Sequence, residues 1–169
     1  MACNSLEGIE FGCSNNQGGI YNLYVNDTDS VSGITLNAAQ DTITAMTAST
    51  SFENLQFRRN TGNVNVVPTV DLINGSTYFD VTVTLVFHRR EAAKSRALYI
   101  LGEGQRYLDF IFLDANGIYW FIDHAQLTGG PEDTGTVKAD GSKYTVEFKA
   151  QMDTRPYAVS SSIVPALIA

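Results

Sequence analysis

The chain has 169 residues, 44% hydrophobic and 17% charged, which suits a single domain with a sizeable core and excludes a disordered chain. Its formal charge is −7, with a sequence pI near 4.6, so its surface repels nucleic acid and conventional DNA binding is not expected. Apolar runs fall far short of the roughly 20 residues of a membrane helix, and no membrane partner is expected.

The opening residues have neither the basic start nor the apolar stretch of a secretory signal, so synthesis and folding in the cytoplasm are expected. Cys3 stands too early to be a lipidated cysteine behind a signal. Cys3 and Cys13 match no zinc spacing; they are either two free thiols, the cytoplasmic default, or a disulfide that no pattern supports.

Residues 1–19 are rich in Gly and Asn without periodicity and read as a loop-rich arm. Strands are expected at Ile20–Val25, Thr42–Thr47 and Phe52–Arg59, separated by polar turns at 26–30 and 60–63. From Phe79, apolar Phe79, Val81, Val83, Leu85 and Phe87 alternate with Asp80, Thr82, Thr84 and His88, Val86 being the exception. That period predicts a long half-buried strand. The period then lengthens. Ala93, Ala97, Ile100 and Leu101 mark the inner face of an amphipathic helix over about 89–102, with Arg89, Arg90, Lys94 and Arg96 elsewhere on the wheel. Gly102 or Gly104 ends it, and its start carries no good capping residue. The stretch from Arg89 to Arg96 carries a net +3, which leaves −10 on the rest of the chain.

Asp114-Ala115-Asn116-Gly117 sits between the apolar, aromatic runs Tyr107–Leu113 and Ile118–Ile122, which predicts a hairpin. Both faces of these strands are apolar, so they belong in the middle of the fold, covered on two sides. Gly129-Gly130-Pro131 opens a loop to Thr136–Ala139 and a turn at Asp140-Gly141. Lys143–Ala150 then alternates, with Tyr144, Val146 and Phe148 inward. The expected fold class is mainly β: a β-sandwich or open barrel with one packed amphipathic helix, all in one β-rich domain over 1–169.

Little of this composes a catalytic site. His88 falls at the end of a strand. Asp123 and His124 are neighbours on a strand and should point to opposite faces, so no triad is expected. Asp27-Thr28-Asp29-Ser30 faintly resembles a calcium loop, but Ser32 and Ala38 stand where that loop needs Gly and Glu, and a solvated turn is expected. Trp120 could belong to a sugar-binding platform, but apolar neighbours on both sides place it in the core. No cofactor or metal is expected, and no enzymatic activity.

The chain closes on an apolar tail, residues 160–169, with Ile163, Val164, Leu167 and Ile168. Those side chains either fold back on their own sheet or dock on a neighbour. Two such ends on a small acidic β-domain point to assembly with copies of itself.

Three stretches resemble phage tail tube proteins: Thr82-Leu85-Phe87-His88-Arg89-Arg90, the Asp114–Gly117 turn with Tyr119-Trp120, and Gly135-Thr136 running into Lys138–Tyr144. The opening Gly12-Cys13 to Gly18-Gly19-Ile20 fits the same likeness, while residues 21–76 match poorly. The resemblance implies a structural virion subunit, a β-sandwich with a helix, closing into hexameric rings that stack into a tail tube. Its partners would be itself and other tail proteins, with phage DNA only in transit. It implies Asp80, Thr82 and Thr84 as a lumen-facing row on an acidic wall. Contacts between subunits would fall to Arg89, Arg90, Lys94, Ile163, Val164, Leu167 and Ile168. Related readings are a tail terminator, hub or connector ring. A different one is a capsid decoration protein or a carbohydrate-binding β-domain on a particle surface, which would need exposed aromatics.

Overall fold

The computed structural model describes residues 6–169. Along the chain run β1 (Ile20–Asp27), β2 (Val31–Leu36), β3 (Thr42–Ala48), β4 (Glu53–Asn54), β5 (Gly62–Asp71) and β6 (Ser76–His88). The helix α1 (Ala92–Gly102) follows, then β7 (Leu108–Asp114), β8 (Tyr119–Gly129), β9 (Glu132–Asp133), β10 (Lys143–Met152), β11 (Tyr157–Val159) and a one-turn helix α2 (Val164–Leu167). The strands make one curled, open sheet, a half-barrel, with order β2-β3-β11-β8-β10-β6-β5; β1 and β7 extend it from β8.

The curl has a local cause in β8. Its first half pairs with β11 and its second half with β10, while β7 runs along the other side. Between the halves the register against β7 shifts, and His124 adopts φ +52. A bulge of this kind bends the strand and raises its twist, which turns one end of the sheet over the other.

Two cores result. The inner faces of β6 and β10 pack Val81, Val83, Leu85, Tyr144, Val146 and Phe148 onto Leu23, Val25, Leu108, Phe110, Phe112 and Ile122 of β1, β7 and β8. Phe110 and Phe148 meet edge to face across this layer, with ring centroids 4.9 Å apart. Alternate residues of the same central strands, Tyr24, Ile111 and Phe121, point the other way. They join Ile43, Phe52, Val159, Val164 and Leu167 in a second core. β1, β7 and β8 are thus covered on both faces, which is why they lack polar alternation.

The C-terminal tail takes the first of its two open courses. Phe52 donates its backbone N–H to the Leu167 carbonyl at 2.8 Å, and Ala169 donates to the Phe52 carbonyl at 3.0 Å. Val164 and Leu167 are buried, and Ile163 and Ile168 pack against the same cluster. Burying a large aliphatic side chain contributes about 1.5–3 kcal/mol, enough to hold so short a segment. These four residues close their own chain's core, so the expected contact with another subunit is corrected for the buried pair Val164 and Leu167.

The helix also differs from expectation. It begins at Ala92 instead of 89, and Glu91 at its N-cap makes no side-chain capping bond. The residues turned inward are Ser95, Leu98 and Leu101, while Ala93, Ala97 and Ile100 are exposed. Polar anchoring outweighs the small apolar stripe: the hydroxyl of Ser95 lies 2.6 Å from that of Tyr144, and Lys94 Nζ donates to the His88 carbonyl at 2.8 Å. At the far end Gly102 fits closely over Leu127, where a Cβ would come within 2.9 Å of the leucine side chain.

One further expectation is corrected. The strand expected over 52–59 reduces to the Phe52 bridge and β4. Thr136–Ala139 lies in turns, held by the Asp140 carboxylate, which accepts the N–H groups of Thr136 and Val137 at 2.8 and 2.9 Å.

Candidate functional site

The expected lumen-facing row lies on one surface. Asp80, Thr82 and Thr84 occupy the outer face of β6, opposite Gln151, Lys149 and Glu147 of β10 and Val67, Asn65 and Asn63 of β5. The Asp80 carboxylate accepts the Thr69 hydroxyl at 2.8 Å and the Gln151 amide at 3.0 Å, so the row is cross-linked over three strands. Along the paired stretch of β6 and β10, the charged side chains are Asp80 and Glu147 against Lys143 and Lys149. The charges balance, and Glu147 lies 3.2 Å from Lys149. This face is rich in hydroxyls and amides. It borders a groove of about 610 Å³ that Tyr107, His124 and Gln126 close on one side.

The β5–β6 hairpin was not expected, and it is the most exposed apolar feature of the folded body. β10 ends at Met152, opposite Phe79, while β5 and β6 stay paired as far as Asp71 and Ser76. Past the end of β10 the hairpin's inner face has nothing to cover it, and Val70 is 57% exposed. The Asp71 carboxylate accepts the N–H groups of Ile73 and Asn74 at 2.9 and 3.1 Å, and Gly75 supplies φ +69. The side-chain amide of Asn74 first, and then these two N–H groups, hold the Asp71 carboxyl below its usual range. A well-fixed turn therefore presents Leu72 and Ile73, 90% and 95% exposed, to solvent. β5 itself pairs only with β6, and β2 only with β3, so each leaves an open sheet edge among the described residues. Pro68 in β5 is tolerated because an edge strand can lose one donor.

The cations expected between subunits are partly engaged within the chain. Arg90 lies 2.8 Å from Glu132 and over the Tyr144 ring, and Lys94 serves the carbonyls of His88 and Arg89. Arg89 is the most exposed of the three. Its backbone has φ +66 and its side chain is 82% exposed, with Glu91 at 3.1 Å.

The histidines stand apart. His88 has its Nδ1 buried without a hydrogen-bond partner. His124 does not oppose Asp123 as neighbours on a regular strand would: the bulge brings its Nδ1 to 3.5 Å from Asp123 Oδ2, with the Tyr107 ring 5.7 Å away. Under the bulge lies Asp109, 2% exposed, accepting the Thr28 hydroxyl at 2.7 Å and the His124 N–H at 3.0 Å. Burial pushes its carboxyl pKa up, and these two bonds work against that rise. Both donors hold the bulge and the 3-10 turn at Thr28 in place, which gives the buried acid a structural task. Asp27 accepts the N–H of Asp29 at 3.2 Å, so the acids of that turn cap it. Trp120 is half-buried against the first core and donates its Nε1 to Asp114 at 3.0 Å. Of the exposed aromatics, Phe11 lies in the N-terminal arm, Tyr21 on β1, Tyr99 on α1 and Tyr107 just before β7.

Residues 6–18 form no helix or strand and are exposed throughout. Their root is tied to the β7–β8 turn, where Asn116 Oδ1 accepts the Gln17 N–H at 2.8 Å. Cys13 is exposed; the expectation for Cys3 lies outside the described residues. No helix of the described residues is long and apolar enough to cross a membrane. No protein-family model matches the chain, and no curated protein matches it.

Proposed function

We propose that this chain is a non-enzymatic structural subunit of a phage virion, a tail-tube-type protein whose copies close into rings and stack. The observation that carries the reading is the β5–β6 hairpin. It overruns its own sheet, leaves one edge unpaired, and ends in a fixed turn that displays Leu72 and Ile73 to water. An open edge beside an exposed apolar tip is unfavourable for a lone molecule and is relieved when a second copy pairs or packs against it.

The polar face of β5, β6 and β10 suits the wall of such a channel. Its nearly balanced charges and hydroxyl and amide groups offer a DNA backbone few cations to hold, so strands slide past instead of binding. Ring order, the neighbouring tail proteins and location in the virion tail follow from this reading. A terminator, hub or connector ring would use the same surfaces.

Negative-stain microscopy of the purified full chain, with sedimentation across concentration and salt, tests it. Rings or stacked tubes are expected. A particle that stays monomeric at high concentration overturns the proposal, and glycan binding by that monomer would favour a surface-displayed carbohydrate module.

A further inference from the structure

The exposed arm and one groove of the folded body are complementary. Between residues 6 and 11 the arm reads Leu6-Glu7-Gly8-Ile9-Glu10-Phe11, two carboxylates among three large apolar side chains that are 98% to 103% exposed. In extended chain Ile9 and Phe11 point the same way with Glu10 opposite, and the backbone freedom of Gly8 releases Glu7 from the side it would otherwise share with them. The groove, of about 390 Å³, lies where the β4–β5 loop faces the end of β6, with a floor of Phe57 and Phe87. Its rim carries Arg58, Arg89 and Lys94 against the single carboxylate of Glu91, a formal +2 facing the arm's −2. Arg58 is exposed and has no carboxylate within ion-pair distance among the described residues.

Two of the other grooves fit the arm less well. The apolar one beside Trp120 includes the Asp114 carboxylate along with Arg155, which cancels the attraction for an acidic segment. The groove on the polar sheet face carries Asp80 and has no aromatic floor comparable to the Phe57–Phe87 pair.

We infer that the arm of one copy, through residues 6–11, docks into the Phe57–Phe87 groove of a second copy, Ile9 and Phe11 on the floor and Glu7 and Glu10 against Arg58 and Arg89. This rests on the self-assembly reading above and names the contact that links copies. Exchange between molecules is favoured because the arm is tied to the body at the Asn116 turn and residues 6–16 stand exposed, unburied by their own groove. Its free stretch of 6–16 spans about 35 Å when extended, enough to cross to a neighbour.

A fluorescein-labelled peptide of residues 6–18, with Cys13→Ser, titrated into the full chain tests the groove by anisotropy. Saturable binding that weakens with salt is expected, because the charges are exposed. Arg58→Glu should weaken it by about tenfold, and a peptide carrying Glu7→Lys and Glu10→Lys should recover binding to that variant. No saturable binding, or binding indifferent to both reversals, overturns the inference. Exchange is read separately in a full chain with Cys3→Ser, Cys13→Ser, Phe11→Cys and Gln56→Cys. On oxidation, covalent dimers and ladders are expected, and a fast-migrating cross-linked monomer overturns exchange in favour of self-closure. Rings that form without peptide binding remove this contact alone. Peptide binding by a chain that never forms rings removes the ring reading and leaves the groove standing.

Discussion

The hydroxyls of Ser95 and Tyr144 lie 2.6 Å apart, and through this pair the only helix longer than one turn among the described residues is fixed to the sheet. Tyr144 is 1% exposed, and its hydroxyl also accepts the Glu91 N–H at 3.1 Å, at the uncapped start of the helix. The tyrosine thus does the capping that no residue of the helix supplies.

Tyr144→Phe keeps the ring in the first core and removes only this oxygen. The variant should lose about 1–2 kcal/mol, the cost of leaving half-buried donors without their partner. Amide exchange should quicken along Ala92–Leu101 while β6 and β10 keep their protection. Uniform loss of protection across the sheet would show that the hydroxyl does not act locally on the helix.

Gly130 has φ +137 and sits where β8 gives way to β9, close against β10. A Cβ there would be driven into the Thr145 carbonyl oxygen and would come within 2.8 Å of the Val146 Cα. Neither atom is the end of a flexible side chain, so the backbone itself must move. Gly130→Ala should therefore cost about 3 kcal/mol or more, combining steric overlap with an unfavourable backbone region. Gly117→Ala has open space at its Cβ and φ +87, and serves as the control for the conformational part alone. Equal losses in denaturant midpoint for the two would discount the overlap.

Asp109 gives a pH dependence of defined sign. Desolvation is the main cause of its raised pKa. Between the ordinary carboxylate pKa and that raised value the folded state holds a proton that the unfolded state has released. Stability from this group therefore falls as pH rises through the window, and stays lower above it. Asp109→Asn keeps an oxygen to accept from Thr28 and His124 while removing the charge. At pH 7 it should be more stable than the parent by on the order of 1 kcal/mol, with the gap closing as pH falls below the window. Thermal unfolding of both proteins from pH 3 to 8 measures it. A variant less stable at pH 7, or a gap that widens in acid, would reverse the assignment.

The fold was legible where one face is buried and the other wet. β6 and β10 announce themselves through strict alternation, and the β7–β8 hairpin through Asn116-Gly117 between apolar runs. β5 was hidden because its inward residues are Val64 and Val66 for only half its length. After Pro68 the same parity meets no core, so the pattern dissolves where the hairpin overruns the sheet. The helix misled for another reason: its orientation is set by Tyr144, 49 residues from Ser95, and by the close fit of Gly102. No periodicity carries either signal. Val164 and Leu167 were visible as apolar residues needing cover, but their partner Phe52 is more than a hundred residues earlier. Of the candidate site, the row Asp80, Thr82 and Thr84 was readable as a polar face. Its balance of charge depends on Lys143 and Lys149 of β10, which only strand pairing brings alongside.

The hairpin tip separates folding from assembly most cleanly. Leu72 and Ile73 touch almost nothing within the chain, while Asp71 and Gly75 fix the turn around them. Leu72→Ser with Ile73→Ser leaves that turn's bonds intact and removes no core contact, so unfolding midpoints should move by no more than about 0.5 kcal/mol. If the tip packs against a second copy, each subunit forgoes burial of two large aliphatic side chains, about 1.5–3 kcal/mol apiece. Rings and tubes should then disappear at concentrations where the parent chain forms them, with the variant sedimenting as a folded monomer. Asp71→Ala is the complementary change, loosening the turn while keeping both apolar side chains, and it should weaken assembly less. Unaltered tubes from the double serine variant would remove the hairpin tip from the interface and leave the open edge of β5 to hold the copies together.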